Sequence, residues 1–153
     1  VKKKSRTTGV ISNRRARFDY EIKDSLVAGI ALSGAETRSL RQQAGSLQGA
    51  FVTMKDGEAW LMNSLITPVK TNAAHLPPEV QGRNRKLLLK KRELAMLTEA
   101  KQQGNTIVPL KFLTKGRFIK LEIAVGRGKK RFDKREVIKR RDTERETARH
   151  FKR

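Results

Sequence analysis

FVTMKDGEAWLMN, residues 51–63, places two alternating apolar and polar runs on either side of Asp56-Gly57. Both central residues of a tight hairpin turn need positive φ, and Asp-Gly supplies that at little steric cost. The stretch therefore predicts strands over residues 51–55 and 58–63, and with them an antiparallel sheet.

Downstream, residues 106–113 and 118–125 continue the strand pattern, with Lys115-Gly116 as the turn between them. In the second run Ile119, Leu121, Ile123 and Val125 share one face while Lys120 and Glu122 take the other. Upstream, Phe18, Tyr20 and Ile22 alternate with Asp19, Glu21 and Lys23, and residues 27–32 form a further strand-like run interrupted by Gly29. Ser33-Gly34 breaks that run. Residues 35–41 then read as a short helix, with Glu36 in the first turn and Arg38 and Arg41 at the end that favours cations. Leu87, Leu94 and Leu97, with Leu88 and Ala95 beside them, recur at helical spacing. That helix is expected to end at Gln103, with Gly104 as its cap. Residues 67–85 hold three prolines and Gly82 and read as a long loop.

The expected fold class is mainly β with flanking helices. Many short strands with interposed helix favour closure, which removes exposed edges, so residues 13–125 are expected to form an OB-like antiparallel β-barrel. Residues 1–12 read as a flexible basic arm. Residues 126–153 differ: thirteen basic and five acidic side chains accompany few apolar ones. So little apolar surface cannot offset the entropy of ordering. The tail is expected to be disordered alone and helical when bound to a polyanion, with Arg141, Arg145, Arg149 and Lys152 then sharing one face.

The chain carries a formal charge of +21 over 153 residues. That imbalance favours a polyanionic partner, with nucleic acid before an anionic membrane. No apolar run approaches the roughly 20 residues of a spanning helix. The absence of cysteine removes disulfides, thiol catalysis and Cys-ligated zinc, and a cytoplasmic location is the default. GRGKK, residues 126–130, lacks the spacing of a phosphate-binding loop and reads as a hinge. His75 and His150 have no carboxylate at ligand spacing. No catalytic set, metal site or cofactor motif is found, and the chain is not expected to be an enzyme. Three basic groups are candidate RNA contacts: Asn13, Arg14, Arg15 and Arg17; Arg83, Arg85, Lys86 and Lys90, with Lys91 and Arg92; and Lys129, Lys130, Arg131, Lys134 and Arg135. Phe132, set among cations, could stack on a base.

Six strings stand in order along the chain: NRRARFDYEI (13–22), AGIALSGAETRSLR (28–41), DGEAWL (56–61), RKLLLKKREL (85–94), VPLKF (108–112) and GRGKKRFDKR (126–135). Together they resemble the small protein B family, the SsrA-binding proteins. The resemblance implies an OB-like barrel that binds the tRNA-like domain of transfer-messenger RNA. It implies delivery of that RNA to ribosomes stalled without a stop codon, for trans-translation. The tail would occupy the vacant mRNA channel and the decoding centre of 16S rRNA. Elongation factor Tu with GTP, and alanyl-tRNA synthetase, would be partners only through the RNA. By position, Asn13, Arg14, Arg38, Arg41, Leu88 and Lys90 fall in the regions associated with the tRNA-like domain. Lys129, Lys130, Asp133, Lys134 and Arg135 match the motif used on the ribosome. Many members have Glu at the place of Val27, His or Tyr at Phe132, and Asn or His at Lys90. Phe132 keeps a ring that can stack but not the hydrogen bond.

Overall fold

A computed structural model describes residues 10–151, except for the side chains of Val10 and of residues 131–133. In chain order the elements are β1 (Val10–Ser12), α1 (Ala16–Asp19), β2 (Tyr20–Ile30), α2 (Gly34–Arg41), β3 (Gly45–Ser46), β4 (Phe51–Lys55) and β5 (Glu58–Met62). There follow β6 (Leu65–Ile66), a 3-10 turn at Ala73–His75, α3 (Pro78–Gln81), β7 (Arg85–Leu88), α4 (Lys91–Gln102), β8 (Thr106–Leu113), β9 (Lys120–Gly128) and α5 (Arg131–Phe151).

The β4–β5 hairpin forms as its sequence demands. Asp56 and Gly57 both have positive φ, at 53° and 74°, and the register runs from Phe51 opposite Met62 to Lys55 opposite Glu58. From this hairpin the sheet extends both ways in the order β1-β8-β4-β5-β7-β2-β9, and β8 pairs again with β9. The strands thus close a mainly antiparallel ring rather than a regular barrel. The closure is uneven: β8 meets β9 over nearly its whole length but meets β4 through one residue pair, Val52 opposite Ile107. β1 extends the ring on the same edge of β8, and β3 and β6 make a separate two-stranded sheet.

The ring is filled by Leu61, Ile107, Phe112, Leu121 and Ile123, all 0% exposed, with Leu97 of α4 and Leu40 of α2 packed into the same core. As the alternation predicts, Ile119, Leu121, Ile123 and Val125 point inward together. A second, smaller cluster lies on the other side of β8 and β9, where Ala16 of α1 covers Val108, Leu110 and Ala124. This cover accounts for continuous burial from Ile107 to Leu110, which a one-sided strand would not show.

Several segments depart from the sequence reading. Phe18 lies in the short helix α1, and the two expected strands beyond it merge into the 11-residue β2, with an irregularity between Ile22 and Asp24. Leu87 and Leu88, expected in a helix, pair instead as β7; a short apolar run satisfies either period, and strand neighbours on both sides decide it. Lys90 caps α4 from outside, its N–H donating to Glu93 Oε2 at 2.8 Å. Gly104, with φ at 84°, follows that helix as expected. Residues 126–128, read as a hinge, are the last three of β9 and pair with Tyr20, Glu21 and Ile22. Gly126 suits this close approach, since a Cβ would meet Tyr20 Cβ at 3.1 Å and Glu21 O at 3.2 Å. Of the expected basic arm, residues 10–12 form β1, and the remainder lies outside the described residues.

The tail is the 21-residue helix α5, about 30 Å long, the helical form expected of it on a polyanion. Arg, Lys and Glu are good helix formers, and opposite charges recur at i, i+4 spacing, as in Glu136–Arg140 and Arg140–Glu144.

Candidate nucleic-acid interface

Among the described side chains, the expected RNA-contact residues fall into surface groups, with one exception. Arg85 is 0% exposed. Its guanidinium donates to both the carbonyl and the hydroxyl of Ser64 (3.2 and 2.9 Å), to the carbonyls of Arg83 (3.0 Å), Val80 (3.3 Å) and Gln81 (3.0 Å), and to the Glu36 carboxylate. Every donor direction is used inside the protein, so Arg85 is a structural cation and not an RNA contact. Glu36, 1% exposed, also accepts from Arg83 and from the Ser33 N–H at 3.0 Å, while Ser33 Oγ accepts from the Glu36 N–H at 3.2 Å. Burial alone would raise the Glu36 pKa. The hydrogen bonds from Arg83, Ser33 and Arg85 outweigh it and hold the carboxyl below its ordinary value. The pattern Ser33-x-x-Glu36 was the available signal for this cap; the partners 47 and 49 residues away carried none.

Lys86, Leu88 and Lys90 do converge. With Val27 and Lys120 they line an open groove of about 570 Å³ over β2, β7 and the start of β9. Val27 and Leu88 are 46% and 55% exposed, so the floor is apolar, and Lys86, Lys90 and Lys120 stand around it with Glu58 and Glu93. Gly29 lets the strands close beneath Leu88, since a Cβ would stand 3.1 Å from Leu88 Cβ. Lys86 Nζ meets Glu58 Oε1 at 2.7 Å with both side chains 41% exposed. Such an exposed pair is worth under about 1 kcal/mol, so a phosphate could take the ammonium.

Arg14, Arg15 and Arg17 surround α1 and are exposed. Asn13 anchors their turn, its N–H donating to Leu110 O at 2.7 Å and Nδ2 to Pro109 O at 3.2 Å. Arg38 is exposed on α2, and Arg83 is split between Glu36 and solvent. Arg41 is engaged elsewhere: it donates to Thr114 O at 3.0 Å, Gly116 O at 3.1 Å and Arg117 O at 2.9 Å, and so fixes the β8–β9 loop.

The tail helix leaves the ring beside α1. The Lys129 N–H donates to Asp19 O at 2.9 Å and its Nζ to Arg17 O at 3.1 Å. Lys134 Nζ lies 3.3 Å from Asp19 Oδ1, and the Arg141 guanidinium lies 5.9 Å from the Phe18 ring centre. Asp19 is therefore a tail-docking residue that sequence reading missed. Lys130, Arg135, Arg145 and Arg149 are exposed. Arg141, Arg145 and Arg149 share one helix face by their spacing. The side chains of Arg131, Phe132 and Asp133 lie outside the described residues, and with them the stacking expected of Phe132.

A closed β-ring with a basic groove, a basic turn at α1 and a projecting basic helix defines a protein built to bind a polyanion. The SmpB protein family model matches residues 10–153, and the chain belongs to that family. Among its relatives, an SsrA-binding protein of Pseudomonas syringae pv. syringae is 47% identical over 97% of this chain and 94% of that protein. Another, of Chlorobium phaeovibrioides, is 49% identical over 91% of this chain and 88% of that protein. A solved structure described as "tmRNA-SmpB: a journey to the center of the bacterial ribosome" is similar with a TM-score of 0.66 and 40% identity, covering 86% of this chain and 95% of that one.

Proposed function

We propose that the chain binds the tRNA-like domain of transfer-messenger RNA and brings it to stalled ribosomes for trans-translation, acting in the cytoplasm and not as an enzyme. The observation that carries this reading is similarity to SsrA-binding proteins along nearly the whole chain, ring and tail helix together. The groove of Lys86, Leu88, Lys90 and Lys120 suits a structured RNA: cations at the rim meet phosphates, and the apolar floor meets sugars or a base. Asn13, Arg14, Arg15, Arg17, Arg38 and Arg83 would extend that contact around α1 and α2. The tail, with Lys129, Lys130, Lys134, Arg135, Arg141, Arg145 and Arg149, would lie in the decoding centre and the empty mRNA path. Elongation factor Tu with GTP and alanyl-tRNA synthetase would meet the chain through the RNA.

Competition tests this. A transcript of the tRNA-like domain should displace bulk single-stranded RNA from the chain at equal salt, and recovery of bound RNA from cells should yield one dominant tRNA-like species. Equal competition by unstructured RNA would reduce the chain to a general RNA binder.

A further inference from the structure

The loop between β8 and β9 holds Lys115, Arg117 and Phe118 and no acidic residue. Phe118 is 69% exposed; among the described large hydrophobics only Phe151, at the end of the tail helix, exceeds it. A single exposed apolar side chain needs no explanation. Here, however, the backbone beneath it is clamped by the three Arg41 hydrogen bonds, so the loop is held in place. The Arg117 guanidinium sits 5.5 Å from the Phe118 ring centre. Lys120, two residues on, already lines the groove with Val27, Leu88 and Lys90. A solvent-facing ring among cations, on a clamped loop two residues from a lysine of the groove, suits a flat, electron-rich partner carried on a phosphate backbone.

We propose that Phe118 is a stacking platform for an unpaired base of the RNA held in the groove. Arg41 is a positioning residue that sets the loop, and Arg117 neutralises the adjoining backbone. This rests on the reading that the ring binds a tRNA-like RNA. Stacking by an aromatic side chain is tolerant of base identity but needs the π face. Binding of a tRNA-like transcript to the full chain is measured for wild type, Phe118→Ala, Phe118→Leu, Phe118→Trp, Arg41→Ala and the Arg41→Ala/Phe118→Ala pair, each checked by thermal melting. Phe118→Ala and Phe118→Leu should both weaken binding roughly tenfold with an unchanged salt slope, and Phe118→Trp should retain it. Arg41→Ala should weaken binding too, and the double variant should lose less than the two single losses combined. Wild-type affinity in Phe118→Ala overturns the proposal. So does full retention by Phe118→Leu, which would mean apolar docking, for instance of a protein. Failure of the wild type to prefer the tRNA-like transcript is read separately and overturns both this proposal and the function on which it rests.

Discussion

The ring and the tail are both rich in arginine and lysine, yet they use the charge in opposite ways. In the ring, Arg85 is taken wholly out of water, satisfied by Glu36 and by five bonds to other acceptors, and it ties β7 to α2, α3 and the segment after β5. In the tail, residues 138–151 are all exposed, and the described contacts of the helix with α1 run through Lys134 and Arg141. A buried cation fixes an architecture because removing its partner strands a charge. An exposed cation fixes little and stays available for a phosphate. Composition cannot tell the two apart.

The sharpest break in this contrast comes from Glu36→Gln. Loss of the buried partner should destabilise the ring by about 3–5 kcal/mol in denaturant unfolding, whereas Arg145→Gln in the tail should change it by less than about 0.5 kcal/mol. Next is Gly45→Ala, whose Cβ would stand 2.8 Å from Leu40 Cδ2 and 3.2 Å from Leu65 O. Overpacking there should cost about 1–3 kcal/mol by the same measurement. Acid sharpens the comparison further. Because the folded Glu36 carboxyl titrates below its unfolded value, its contribution is complete above the ordinary glutamate range and is lost as pH falls through the lowered folded value. Urea midpoints should drop through that window in the wild type and be flatter in Glu36→Gln. The smallest effect is expected of Asp19→Asn. Its pairing with Lys134 is about one-third exposed on both sides and worth under about 1 kcal/mol. Amide exchange in the first turns of α5 should speed up, less so at high salt, with ring melting unchanged.

Much of the ring was legible because its signals are local. Asp56-Gly57 specifies its turn, Gly104 its cap, and the alternation from Ile119 to Val125 its inward face. What failed was non-local. Residues up to 85 read as loop and Leu87 onward as helix, but the strands flanking residues 85–88 draw them into the sheet, and Glu36 draws Arg85 inside. The second cover over β8 was equally hidden, since Ala16 is one small residue in a charged run. Of the groove, Lys86 and Lys90 were legible from charge, and Leu88 only from the family resemblance. Val27, Lys120 and Asp19 were not assigned to an interface, because they come to it from β2, β9 and α1. The helical form of the tail was legible from the spacing of Arg141, Arg145 and Arg149, and helix propensity and charge spacing are what favour it.

In the proposed division of labour, the ring holds the RNA and the tail serves the ribosome. A chain ending at Gly128 keeps all of β9 and tests this most directly. It should bind a tRNA-like transcript within a few-fold of the full chain, while tagging of nascent chains on stalled ribosomes is lost. Loss of transcript binding on truncation, or tagging that persists without residues 129–153, would contradict it.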